Sequence, residues 1–204
     1  MEPFRRLTGV AVPMDEPNID TNQLCPSRFN KLPLGPGFER VLFHDRRFAS
    51  DDSERADFIL NRPPYRAAKI LVADRNFGCG SSRENAVLAL LAFGIRAVIA
   101  PSFGDIFFNN ALKNGLLPVA LDADAAGAVR ARLARDAGME MTVDLEACTV
   151  ALAHEPPIAF IIDALMREKL LEGLDDIALT EKLGGDLGGF EAGYYRDRSW
   201  LPIH

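Results

Sequence analysis

Cysteine is scarce in this chain, and what there is does not pair. Cys25, Cys79 and Cys148 stand far apart, with no Cys-x-x-Cys among them. An odd number at that spacing argues against a disulfide framework and for a reducing compartment. It also argues against a structural zinc or an iron–sulfur cluster held by this chain alone. Long hydrophobic runs are missing too: no apolar stretch approaches the roughly 20 residues that span a bilayer, and the opening MEPFRRLTG has no apolar signal core. The cytoplasm is the expected location. Positive charge is in deficit, with 23 Lys and Arg against 29 Asp and Glu and a net charge of −6. That balance argues against a general affinity for nucleic acid or anionic membranes. Nor does Gly-Lys-Ser/Thr occur anywhere, so no P-loop is encoded.

What remains is an ordinary globular composition, 48% hydrophobic and 25% charged over 204 residues. That length fits a single domain, 1–204, with a core large enough to need no disulfide or metal.

The chain is organised around Asn76-Phe77-Gly78-Cys79-Gly80-Ser81-Ser82-Arg83-Glu84. Before it, residues 69–74 (KILVAD) have the length and apolar content of a buried parallel strand. After it, residues 85–93 (NAVLALLAF) are strong helix formers, and Gly94 stands at the C-cap position. The expected arrangement is a strand, a glycine turn, and a helix with Ser81, Ser82 and Arg83 in its first turn. The first N–H groups of a helix lack internal partners and carry partial positive charge. Two glycines allow close approach of a ligand, and Arg83 offers a planar fork for a carboxylate or phosphate. The turn reads as an anion site with a reactive hydroxyl. Plainer readings compete: a tight turn, a serine N-cap, an arginine paired with a surface carboxylate. A cap, however, needs one serine and no arginine. Position 83 is not glycine, so the dinucleotide fingerprint is incomplete.

Along the rest of the chain, residues 4–13 predict a strand, and residues 15–26 a polar loop in which Asp20 and Thr21 suit local capping. Residues 28–36 form a linker or binding loop. Residues 38–48 predict a short helix or turn with its three phenylalanines inward; His44-Asp45 within it reads as structural. Residues 96–101 and 116–121 predict two further strands around a helix ending at Gly115, which gives a parallel sheet with right-handed crossovers and a ligand site at the strands' carboxyl ends. Residues 123–137 predict a helix whose arginines line a solvated face. Two strands over 139–153, a strand over 158–163, and helices over 164–172 and 176–182 follow. Residues 184–204, rich in glycine and aromatics, predict an extended tail that packs on a neighbour or is mobile.

The central turn, together with Val98-Ile99-Ala100-Pro101-Ser102-Phe103, Gly115-Leu116-Leu117-Pro118-Val119 and Asn18-Ile19-Asp20-Thr21, resembles the small subunits of 3-isopropylmalate dehydratase, the detached swivelling domain of the aconitase superfamily. The resemblance covers almost the whole chain. It implies an α/β fold, a swivelling β/β/α domain with a central, mostly parallel sheet and flanking helices. It implies a hydro-lyase subunit that, with a large partner carrying a [4Fe–4S] cluster, isomerises 2- and 3-isopropylmalate through 2-isopropylmaleate in leucine synthesis. This chain would itself hold no cofactor, and its ligand would be a small dicarboxylic hydroxy acid. By the same resemblance Ser81 is the catalytic base, and Gly80, Ser82, Arg83, Asp20 and Thr21 bind substrate. The loop near residues 22–37, through Phe29, Asn30, Lys31 and Leu32, senses the substrate's substituent. Asn22 and Asn85 depart from the family pattern, where an acid and a histidine are usual. Lys31 would suit a third carboxylate, Phe29 and Leu32 an isopropyl group. Two alternatives are a related hydro-lyase acting on a citraconate-, dimethylmalate- or homoaconitate-like acid, and a non-catalytic anion-binding module.

Overall fold

The computed structural model describes residues 1–81, 83–182, 184–198 and 200. In chain order these form β1 (Arg6–Met14), α1 (Thr21–Leu24), α2 (His44–Arg47), β2 (Ile70–Ala73), α3 (Glu84–Phe93), β3 (Ala97–Ala100), α4 (Asp105–Asn114), β4 (Leu117–Ala120), α5 (Ala123–Arg135), β5 (Glu140–Asp144), β6 (Thr149–Leu152), β7 (Ile158–Ala159), α6 (Ala164–Glu172), α7 (Asp176–Glu181) and α8 (Gly184–Asp197). The strands join in the order β4-β3-β2-β1-β5-β6-β7. β1 to β4 pair in parallel, as the strand–helix alternation predicts. β5 to β7 continue the sheet antiparallel, so the sheet is mixed.

β1 joins the two halves. Its residues Arg6 to Val10 pair with β5, and Ala11 to Met14 pair with β2. Gly9 stands near the changeover, where a Cβ would lie 2.8 Å from the Lys69 side chain. On the parallel half both faces are covered, and alternate residues go to different cores. Val12, Leu71, Ala73, Val98 and Ala100 face one cluster with Ala86, Val87, Ala89 and Leu90 of α3. Ala11, Ile70, Val72, Ala97 and Ile99 face the other with Ala126, Val129 and Leu133 of α5. This is why those strands read as unbroken apolar runs.

The long excursion between α1 and β2 is tied down by Arg47. Its guanidinium is buried and donates to Asn61 Oδ1 (3.2 Å) and to the Glu39 and Leu42 carbonyls (2.7 and 3.2 Å). Asn61 Nδ2 returns bonds to the Arg47 and Arg55 carbonyls. Burial lowers the Arg47 pKa to about 10, since its lost hydration outweighs the attraction of Glu54 and Glu39. Phe38, Phe43 and Phe48 point inward as expected.

Three expectations are corrected. The arginines of α5 do not all line a solvated face: Arg130 is buried, with Nε on Asp15 Oδ1 (2.6 Å) and Nη1 on the Ala73 carbonyl (2.9 Å). A helix face that packs on strand ends meets carbonyls at the last residue of β2, and a guanidinium can satisfy one. The strand expected over 158–163 is only Ile158–Ala159, because Asp163 caps α6 through Leu165 N and Met166 N. Residues 184–197 of the expected extended tail are the helix α8. None of its glycines takes a positive φ, so all fit helical geometry; their cost is entropic, not steric. Residues 201–204 lie outside the described part.

Candidate active site

The loops at the carboxyl ends of β1, β2 and β3 converge on the central turn. Phe77 N donates to Ser102 O (3.0 Å), Asn76 N to Ser102 Oγ (2.9 Å) and Gly104 N to Phe77 O (2.9 Å). On the other side, Asn18 N donates to Arg75 O (3.0 Å), Gly78 N to Ile19 O (2.7 Å) and Thr21 N to Cys79 O (3.0 Å). Asn18 and Asn76 both adopt left-handed backbone, at φ 59°, a conformation that asparagine tolerates best among non-glycine residues. Their side chains join, Asn76 Nδ2 to Asn18 Oδ1 at 2.8 Å. Gly78 is required twice over. Its φ is +72°, and a Cβ there would meet Phe107 at 2.2 Å.

Ser81 is exposed, and its hydroxyl makes no hydrogen bond among the described residues. Its carbonyl is held from behind by Thr21 Oγ1 at 3.0 Å. Thr21 is buried, 2% exposed, so its hydroxyl is committed to this bond. The structure therefore gives Thr21 a supporting place. Asp20 is the N-cap of α1: Oδ1 accepts from Asn22 N and Gln23 N, both 2.8 Å, while Gln23 Oε1 accepts from Asp20 N. The two sets of bonds form a capping box, and Asp20 takes the local capping role expected of it. Gly80 has φ +95° with open space at its Cβ position apart from ordinary contacts to Thr21 and Asp20.

Arg83 is half-buried and donates Nη1 to Asn22 Oδ1 and, at 3.4 Å, to the Cys25 carbonyl. It has no carboxylate partner among the described residues, so its charge is not neutralised and can meet an anion. The helix itself begins at Glu84, with Arg83 at the N-cap position in extended backbone (φ −137°, ψ 102°) and no side-chain cap. This corrects the expectation that the serine and arginine form the first helical turn. Thr21 fixes Ser81 and Gly80 takes left-handed backbone, so the chain completes its crossing to residues 18–25 before winding into α3. Ser82 lies outside the described residues.

Cys79 lies beside Asp20, half-buried, with Sγ 3.6 Å from the Asn18 carbonyl. Burial, and then the Asp20 charge, push its thiol above the ordinary 9.0. Cys25 is raised by burial, with Arg83 opposing. Among the described residues no three His, Cys, Asp or Glu side chains are placed to hold a metal ion. Cys25 sits in one core, Cys79 on the turn and Cys148 beside the other core.

The loop over residues 22–37 adjoins this turn. Asn85 Nδ2 donates to the Asn30 carbonyl at 3.0 Å. Arg28 bonds the Asp45 carboxylate, Nη1 to Oδ2 at 3.0 Å, and holds that carboxyl below its usual range. The Phe29 ring lies 4.8 Å from that of His44. Lys31 and Leu32 are exposed. The Thr21–Ser81 and Asn85–Asn30 bonds, and the asparagine pair, escaped the sequence reading. Asparagine next to a Gly-x-Gly turn was the available signal for the last.

Fold and turn together define the class, an α/β domain of the aconitase C-terminal type: the Aconitase C-terminal domain family model matches residues 1–124. The chain is 47% identical over 203 residues to the 3-isopropylmalate dehydratase small subunit of Rhodospirillum rubrum, covering 100% of this chain and 98% of that one. The counterpart from Gluconacetobacter diazotrophicus is 48% identical over 200 residues (98% and 97% covered), and that from Cereibacter sphaeroides 45% over 201 (98% and 100%). A crystal structure of 3-isopropylmalate dehydratase from Methanocaldococcus jannaschii shares the fold, with a TM-score of 0.63 at 24% identity over 90% of this chain and 98% of that one. The chain belongs to the family of 3-isopropylmalate dehydratase small subunits.

Proposed function

We propose that this chain is the small subunit of a 3-isopropylmalate dehydratase, a hydro-lyase that interconverts 2- and 3-isopropylmalate through 2-isopropylmaleate in leucine synthesis. It works with a large partner subunit in the cytoplasm. The observation that carries the reading at the site is Ser81. Its hydroxyl is exposed and unpartnered among the described residues, while its backbone is fixed by a buried threonine, near an arginine that has no carboxylate partner among those residues.

Isomerisation by dehydration requires a proton to leave a carbon next to a carboxylate. A serine is a poor base in water, so its alkoxide and the charge growing on the carboxylate need nearby positive groups. Arg83 and the uncapped first N–H groups of α3 are suited to both tasks. Ser82 is assigned to the same carboxylate. Gly80 brings backbone close to the ligand, Asp20 is assigned to the same substrate, and Thr21 acts from behind by holding Ser81. Departure of the hydroxyl is assigned to the Lewis acid of a [4Fe–4S] cluster on the partner, and no residue of this chain is asked to hold it. An exposed base needs a covering surface to exclude water. A partner that closes over the turn would supply it.

Co-expression with a cognate large subunit tests the reading. The cluster-loaded complex isomerises isopropylmalate, and each chain alone does not. A loaded complex with no isomerisation would overturn it. Lys31, exposed and unpartnered among the described residues, favours one second reading, a substrate with a third carboxylate; a panel of substituted malates on the same complex separates the two. No helix among the described residues is long and apolar enough to cross a membrane.

A further inference from the structure

Three consecutive residues of the sensing loop are held by two different helices. Arg28 pairs with Asp45 of α2. The Phe29 ring turns inward, against the ring of His44 on α2 and the apolar cluster beneath. The carbonyl of Asn30 accepts the amide of Asn85, in the first turn of α3 and two residues beyond Arg83. Between these points the loop is wound tightly on itself: Phe29 N donates to Pro26 O, Asn30 N to Ser27 O and Leu32 N to Phe29 O, at 2.9, 3.1 and 2.9 Å. Beyond the last tie, Lys31 is exposed and makes no hydrogen bond or ion pair among the described residues, and Leu32 is 44% exposed.

We infer that Asn85 is a positioning residue for substrate selectivity. Its amide fixes the loop against the helix that begins beside Arg83, and leaves Lys31 and Leu32, not Phe29, to meet the substrate's substituent. The inference rests on the proposed function for the word substrate; the tether itself does not. A donor is needed because the partner is a carbonyl, which accepts only, and the carboxamide supplies it. Aspartate has the same shape but no donor, and its charge would face the carbonyl dipole. Asn85→Asp thus removes the tie without removing volume, whereas Asn85→Gln keeps the donor.

Two measurements separate the parts. In the isolated chain, trypsin cleavage after Lys31 becomes several-fold faster in Asn85→Asp and returns towards the parent rate in Asn85→Gln. An unchanged rate in Asn85→Asp, or no recovery in Asn85→Gln, overturns the tether. In the complex with the large subunit, Asn85→Asp reduces the preference in kcat/KM for the isopropyl substrate over its methyl analogue by about tenfold, the scale of one or two methylenes. The loss falls on KM more than on kcat. Faster cleavage with unchanged preference overturns the selectivity role and leaves a structural tie. A parent complex inactive on every substituted malate overturns the selectivity role together with the proposed function, while the trypsin result still judges the tether.

Discussion

The hydroxyl of Thr21 is buried and donates to the carbonyl of Ser81, sixty residues away in sequence. Thr21→Val keeps the shape and removes the donor, leaving that carbonyl short of a partner. The expected loss is about 1–3 kcal/mol of stability, read in urea unfolding, together with a lower kcat in the complex because Ser81, the proposed base, is less firmly held. Cys79 gives a second handle on the same turn. Its thiol is raised above 9.0 by burial and by Asp20, so at pH 8 little thiolate is present and alkylation is slow. The rate rises only as pH climbs past the ordinary thiol range. Asp20→Asn removes the charge and, because asparagine also caps helices, leaves α1 intact. It therefore speeds alkylation at pH 8, but only in part, since burial is the larger cause. Equal rates in the two proteins would show that Asp20 does not act on Cys79.

At the scale of elements, the glycine turn and the helix α5 make the sharpest contrasts. Gly78 and Gly80 both have positive φ, but a Cβ would strike Phe107 at 2.2 Å at the first and meet only ordinary contacts at the second. Gly80→Ala is expected to cost about 1–3 kcal/mol from backbone strain alone. Gly78→Ala adds overpacking of about 1–3 kcal/mol, so it unfolds at clearly lower urea. Arg130 anchors α5 to the end of β2. Arg130→Ala strips the Ala73 carbonyl of its donor and is expected to cost about 1–3 kcal/mol. Its partner Asp15 is 71% exposed, so Asp15→Asn costs under about 1 kcal/mol. Thermal melts of the two variants check the difference. These elements also show what could be read beforehand. The strand–turn–helix around Gly78 was legible because apolar runs, helix formers and a C-cap glycine are local signals, and so were the three inward phenylalanines. Arg130 was not, because nothing local distinguishes an arginine meeting a strand-end carbonyl from one in water. The α8 helix was missed because five glycines depress helix propensity without forbidding helical backbone. The helix start at Glu84, not at Ser81, depends on Thr21 holding the chain, a contact between distant residues that no periodicity encodes.

Across the whole molecule, the mixed sheet brings three strand ends to one edge. The family resemblance pointed to residues of that edge, and the structure brings Asp20, Thr21, Gly80, Ser81 and Arg83 together there. The site is a ledge, with Ser81 and Asn22 open to solvent, which fits a subunit completed by another chain. The most direct test of Ser81 as the base is its replacement by alanine in the cluster-loaded complex. If Ser81 is the base, the variant complex assembles normally, keeps a normal cluster spectrum and turns over about 10²–10⁴-fold more slowly. Turnover within a few-fold of the parent complex would contradict it.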